Sequence, residues 1–174
     1  KGVLGADLVG ILIDMAMQND TKVIIDPKGK FFDIYRGADL ITPNLQELSR
    51  ASGMPVNCDS EVVAAARNII QNAGVKAVLA TRSEQGMSLV TMEESTHLKA
   101  RAREVFDVSG AGDTVVALVA VALDIGADLK TAAALANIAA GIVVGKYGTA
   151  VVHTSEILSV VHETALMGSA LKIS

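Results

Sequence analysis

The chain has 174 residues, of which 51% are hydrophobic, 20% charged and only 3% aromatic, with no Trp and one Cys. That length predicts one domain, since domains run to roughly 100–200 residues, and this hydrophobicity with a net charge of -4 excludes a disordered chain. A pI near 5.3 argues against a general binder of nucleic acid or of anionic membranes, while the lone Cys58 excludes an internal disulfide framework and fits a reducing cytoplasm.

In chain order, residues 5–19 place Leu8, Leu12, Met15 and Ala16 at helical spacing. Val23-Ile24-Ile25 reads as a short buried strand ended by Asp26-Pro27, and Leu40-Ile41 as another ended by Thr42-Pro43. Asn44 starts a helix carrying Leu45 and Leu48, stopped by Gly53 and Pro55. A second helix covers 60–73, with Gly74 as its stop. A strand at 77–80, a polar loop at 81–86 and paired strands at 87–91 and 96–100 follow. After Val105-Phe106 come a glycine loop, a helix to about 125, a helix over 129–146 and a last one from 155.

The apolar runs 115–123 and 132–145 are shorter than the ~20 residues a spanning helix needs and read as buried helices. The chain opens Lys1-Gly2-Val3-Leu4, without Met and almost inside a helical pattern. It carries no signal-peptide pattern and reads as one structural unit cut from a longer protein. Alternating strands and helices predict an α/β fold with an open, mostly parallel sheet covered by helices, whose ligand crevice lies at the strand C-termini.

Three loops reach that crevice. In Asp107-Val108-Ser109-Gly110-Ala111-Gly112-Asp113-Thr114, two glycines around an alanine turn the backbone tightly at a helix start, so that N–H groups converge on an anion. Asp113, in the first helical turn, is placed to take a proton from a hydroxyl. A plain glycine turn capped by an aspartate is the other reading, and Asp107 reads equally as a turn residue. Asn44 and Glu47, three apart at a helix start, either reach one Mg²⁺ through its waters or close a capping box on each other. Thr81-Arg82-Ser83-Glu84-Gln85-Gly86 offers hydroxyls and a cation to phosphates, or is simply a turn with a solvated Arg82.

Asn137, inside an apolar helix, is either a satisfied core amide or a residue facing a ligand. The scattered His97, His153 and His162 lack zinc-ligand spacing, Cys58 lacks an activating partner, and the Met residues are spaced as core filler.

Taken together, these motifs resemble the ribokinase-like sugar kinases of the PfkB family, from Gly2 to about Thr154. The resemblance implies a three-layer α/β/α fold and ATP-dependent transfer to a sugar hydroxyl. It makes Asp113 the general base, Gly110, Ala111 and Gly112 the anion hole, and Asn44 and Glu47 the N-x-x-E motif at the Mg²⁺–phosphate end of the nucleotide. It assigns residues 81–86 to the nucleotide loop and Asn137, with Gly141, to the adenine pocket. Asp107, with carbonyls near Val143, Lys146 and Gly148, matches the K⁺ loop of members that have one.

Asp26-Pro27-Lys28-Gly29, Tyr35-Arg36-Gly37-Ala38 and Thr42-Pro43-Asn44 resemble most closely the heptose 7-phosphate kinases within the family, as does Ser83 where the common loop has Gly. That likeness implies phosphorylation of the anomeric hydroxyl of heptose 7-phosphate in ADP-heptose synthesis, for the lipopolysaccharide core. It implies a cytoplasmic enzyme, homo-oligomeric at full length, that binds ATP and a sugar phosphate and neither nucleic acid nor membrane. On this reading residues 1–174 are the nucleotide-binding and catalytic part, and the sugar-binding and lid part lies outside them. Another ribokinase-like sugar or nucleoside kinase, or a non-catalytic nucleotide-binding domain, are the alternatives.

Overall fold

A computed structural model describes residues 5–101, 105–148 and 150–170, with side chains through 163. The opening residues 1–4 lie outside the described residues. Five strands form one sheet in the order β1 (Ile24–Ile25), β2 (Leu40–Ile41), β3 (Val78–Thr81), β4 (Met87–Val90) and β5 (Ser95–Leu98). The β1–β2 and β2–β3 pairs are parallel, and β3–β4 and β4–β5 antiparallel. Every strand but β4 therefore points the same way. The C-terminal ends of β1, β2 and β3 open on one edge.

Side chains alternate across this sheet as the pleat requires. Ile41, Val78, Ala80 and Val90 pack against α1 (Ala6–Gln18), α2 (Leu45–Ser52) and α3 (Asp59–Ala73). Leu40, Leu79, Met87 and Leu89 face α4 (Ala111–Asp124) and α5 (Leu129–Val144). The result is the expected three-layer α/β/α arrangement, with α6 (Thr154–Ala170) following α5. A core almost without aromatics closes because α5 presents Ala132, Ala133 and Ala136, whose small side chains let α4 approach with Val115, Val119 and Ala122. Among the described residues no helix is long and apolar enough to cross a membrane.

Two expectations need correction. The face of α1 that turns inward carries Val9 and Ile13, while Leu8, Leu12 and Met15 stay exposed. This helix is apolar around most of its circumference, so its period does not choose a face; the packing of Ile13 over Gly37 does. Of the methionines read as core filler, Met87 is buried, but Met15, Met17 and Met92 are exposed.

Candidate active site

The edge where β1, β2 and β3 end holds two adjoining clefts. The first, about 300 Å³, is mainly apolar, with Met87, Val108, Val115, Ala140 and Val144 in its walls. The second, about 250 Å³, is polar and is lined by Asp26, Lys28, Thr42, Asn44, Glu47, Gly110 and Asp113. Thr81 and Gly112 line both, so the apolar chamber and the acidic one are immediate neighbours. Side by side they suit a ligand with an apolar head and a charged tail.

The chain places these residues by local means. The Thr81 N–H donates to the Pro43 carbonyl at 2.9 Å, joining the ends of β2 and β3 at the shared wall. At the start of α2, the Asn44 side chain accepts from the Glu47 N–H at 2.9 Å, and Glu47 Oε2 accepts from the Asn44 N–H at 2.9 Å. The capping reading is therefore correct in geometry, yet both residues also line the polar cleft. Among the described residues no three His, Cys, Asp or Glu side chains gather as a metal cluster, but the hard oxygens of Asn44 and Glu47 suit a Mg²⁺ reached through its waters.

At the start of α4, Gly110 adopts φ 79, a left-handed conformation that suits glycine, and no side chain caps the helix. The N–H of Ala111 turns back to the Val108 carbonyl at 3.2 Å, so it is not free as the anion hole required. Among the described residues no acceptor engages the N–H of Gly110 or Gly112, and both residues line the polar cleft. Asp113 stands exposed in the first turn.

Upstream, Asp107 accepts from the Ser109 N–H at 2.8 Å. That bond holds its carboxyl below the usual aspartate range. The segment expected to form the cation loop does adjoin Asp107, whose N–H donates to the Val144 carbonyl at 3.3 Å and whose carboxyl is also lowered by the Gly148 N–H. The Val143 carbonyl accepts from the N–H groups of Gly145 and Lys146. Asp107, Val143, Lys146 and Gly148 line neither cleft, and no step below passes through a K⁺ ion.

The nucleotide loop divides. Thr81, Ser83, Glu84 and Gly86 face the apolar cleft, whereas Arg82 and Gln85 turn to the opposite side of the hairpin. Arg82 is 5% exposed. Its guanidinium meets Asp59 at 2.6 Å, Gln85 at 2.7 Å and Ser88 at 2.9 Å. It is neither a solvated side chain nor a phosphate clamp, because Asp59 ties it to the N-terminal end of α3 while Gln85 and Ser88 hold it within the hairpin. Ser83 adopts φ 51, a conformation that favours glycine, which accounts for Gly in the related loops. At Gly86, with φ 92, a Cβ would collide with the Leu98 carbonyl, so the loop turns only with glycine there.

Asn137 is a satisfied amide that also borders a cleft. Its amide donates to the Lys99 carbonyl at 2.8 Å, and the residue lines the apolar cleft beside Gly141. The sequence reading missed Asp26, Lys28 and Thr42 as cleft residues. Their position just after strand ends was the available signal.

Comparison with known proteins agrees with this geometry. The model of the pfkB family carbohydrate kinases matches residues 3–155. The bifunctional proteins HldE of Rhodospirillum rubrum and Paramagnetospirillum magneticum are 51% and 52% identical over 99% of this chain. The chain spans only 35% and 36% of their lengths. The structure of Arabidopsis thaliana ribokinase complexed with ribose and ATP superimposes with a TM-score of 0.80 at 26% identity, over 89% of this chain and 52% of that one. On the family match, which covers most of the sequence, the chain belongs to the pfkB family of carbohydrate kinases.

Proposed function

We propose that the paired clefts hold ATP, with the base in the apolar chamber and the phosphates in the polar one, and that residues 1–174 are the nucleotide-binding and catalytic part of a sugar kinase. The observation that carries this reading is the adjacency of the two clefts, both lined by Thr81 and Gly112, with Asp113 in the polar one. The acceptor is the anomeric hydroxyl of heptose 7-phosphate and the product its 1,7-bisphosphate, a step toward ADP-heptose. Identity near 50% to the HldE proteins supports that choice of sugar. The sugar-binding and lid part, in this reading, belongs to the longer protein, which works as a cytoplasmic homo-oligomer.

The chemistry follows from the residues. The Asp113 carboxylate takes the proton of the hydroxyl, whose oxygen bonds to the γ-phosphorus as the bond to the bridging oxygen of ADP breaks. The open N–H groups of Gly110 and Gly112, at the positive end of α4, receive the charge on the phosphate oxygens. Asn137, Ser83 and Glu84 border the base and ribose. Asn44 and Glu47 would hold Mg²⁺ through its waters, and the ion, when bound, neutralises the phosphate chain.

The test is phosphorylation of heptose 7-phosphate by the whole protein that carries this chain. Turnover with ribose, fructose 1-phosphate or a nucleoside instead would move the reading to another kinase of the fold. Nucleotide binding without turnover on any of these would make it a non-catalytic nucleotide-binding domain. Residues 1–174 alone are expected to bind nucleotide weakly and to phosphorylate no sugar.

A further inference from the structure

The polar cleft contains a cation with no part in the chemistry above. Lys28 follows β1, and its main chain is held at both polar groups by one side chain. Its N–H donates to the Tyr35 hydroxyl at 3.1 Å, and that hydroxyl donates to the Lys28 carbonyl at 3.3 Å. Tyr35 is buried and so is the preceding Pro27, so the backbone at residue 28 is anchored while its side chain, 70% exposed, reaches into the cleft. There Lys28 Nζ lies 2.9 Å from Asp26 Oδ2 and 3.4 Å from Glu47 Oε1. The hydrogen bond that it donates to Asp26 keeps the ammonium above its usual pKa, against the opposing effect of burial.

Stability does not explain this arrangement, because exposed ion pairs contribute only about 0–1 kcal/mol. Electrostatics does. Three carboxylates line the cleft, those of Asp26, Glu47 and Asp113, and among the described residues Lys28 is its one cationic side chain. An acidic cleft repels a phosphate chain unless positive charge is placed within it. Beside the Mg²⁺ that would come with the nucleotide, a lysine anchored through its backbone by a buried tyrosine, in the cleft that Gly110 and Gly112 also line, supplies such charge from the chain itself.

We infer that Lys28 is a catalytic residue: its ammonium donates a hydrogen bond to the γ-phosphoryl group as it passes from ATP to the sugar hydroxyl. This inference rests on the kinase reading. Lys28 keeps its proton throughout, since the hydroxyl proton goes to Asp113. Tyr35 is the positioning residue, acting through the Lys28 backbone.

The whole kinase tests this with Lys28→Met and Lys28→Arg. Affinity for ADP alone and for ADP with aluminium fluoride, which mimics a phosphoryl group in flight, is measured beside kcat. Lys28→Met is expected to lower kcat by about 10²–10³-fold and to weaken the aluminium fluoride complex by a similar factor. ADP affinity should stay within about threefold, because the contact forms to the transferring group. Lys28→Arg should recover about tenfold of the loss. The inference is overturned by a Lys28→Met enzyme with kcat within about threefold of wild type, or by equal losses for both complexes. A wild-type protein that transfers no phosphoryl group sinks the kinase reading and this inference together. An active wild type with an unaffected Lys28→Met sinks the inference alone.

Discussion

Two helices begin at the polar cleft, and they begin in opposite ways. The start of α2 is closed on itself, since Asn44 and Glu47 each accept the other's main-chain N–H. The start of α4 is open, with a left-handed Gly110, no side-chain cap, and only Ala111 bent back to Val108. A helix N-terminus carries partial positive charge and unpaired N–H groups. Where side chains satisfy them the end is an anchor, and where glycines expose them it is a receptor for an anion. The contrast separates stability from ligand chemistry within a single cleft.

The largest effect belongs to the open end. Asp113→Asn in the whole protein should cut kcat by about 10²–10⁴-fold while the KM for ATP moves little, as steady-state kinetics would record. Unchanged turnover would leave α4 as an anion anchor and remove its base. Gly112→Ala is gentler: it lies within α4 and a Cβ there meets nothing within 4 Å, so the thermal midpoint should hold or rise slightly. The added methyl sits on the wall shared by both clefts, and a nucleotide titration should show about tenfold weaker binding of MgATP.

The closed end should answer in the other currency. Asn44→Ala is expected to lower stability by about 1 kcal/mol in chemical denaturation. Glu47→Gln sharpens the contrast, since glutamine can also close a capping box. Its stability should hold while the Mg²⁺ concentration for half-maximal activity rises, and a change in stability alone would reduce Glu47 to a cap.

The smallest effect concerns pH. The Ser109 N–H depresses the Asp107 carboxyl in the folded chain. Its contribution to stability is then present above about pH 3.9, the unfolded value, and lost as pH falls through the lower folded value. Comparing wild type with Asp107→Asn, unfolding midpoints should differ at neutral pH and converge in acid. A gap that persists in acid would separate Asp107 from this linkage.

How much was legible in the sequence differs residue by residue. The capping box at Asn44, the turn at Gly110 and the left-handed stops at Gly53 and Gly74 are local, each written within a few positions, and each appears where the sequence places it. The strand pair on either side of Glu93-Glu94 is equally local, because the Thr91 hydroxyl accepts from the N–H groups of both glutamates and shapes the turn. Arg82 was not legible. Its partners include Asp59, on another element, and no spacing within residues 81–86 reveals that distant carboxylate. Asp26, Lys28 and Thr42 look like turn residues until β1 and β2 pair in parallel and bring them beside Gly110 and Asp113.

The sequence by itself determined the order and type of the elements, the glycine loop with its aspartate, and the family. Those follow from hydrophobic period and from the few residue types that permit a tight turn. Only the tertiary structure decided which face of α1 turns inward, where Arg82 finds its charge partner, and which cation enters the polar cleft. These depend on contacts between residues far apart in the chain, and packing, not local propensity, selects among the faces that periodicity leaves equal.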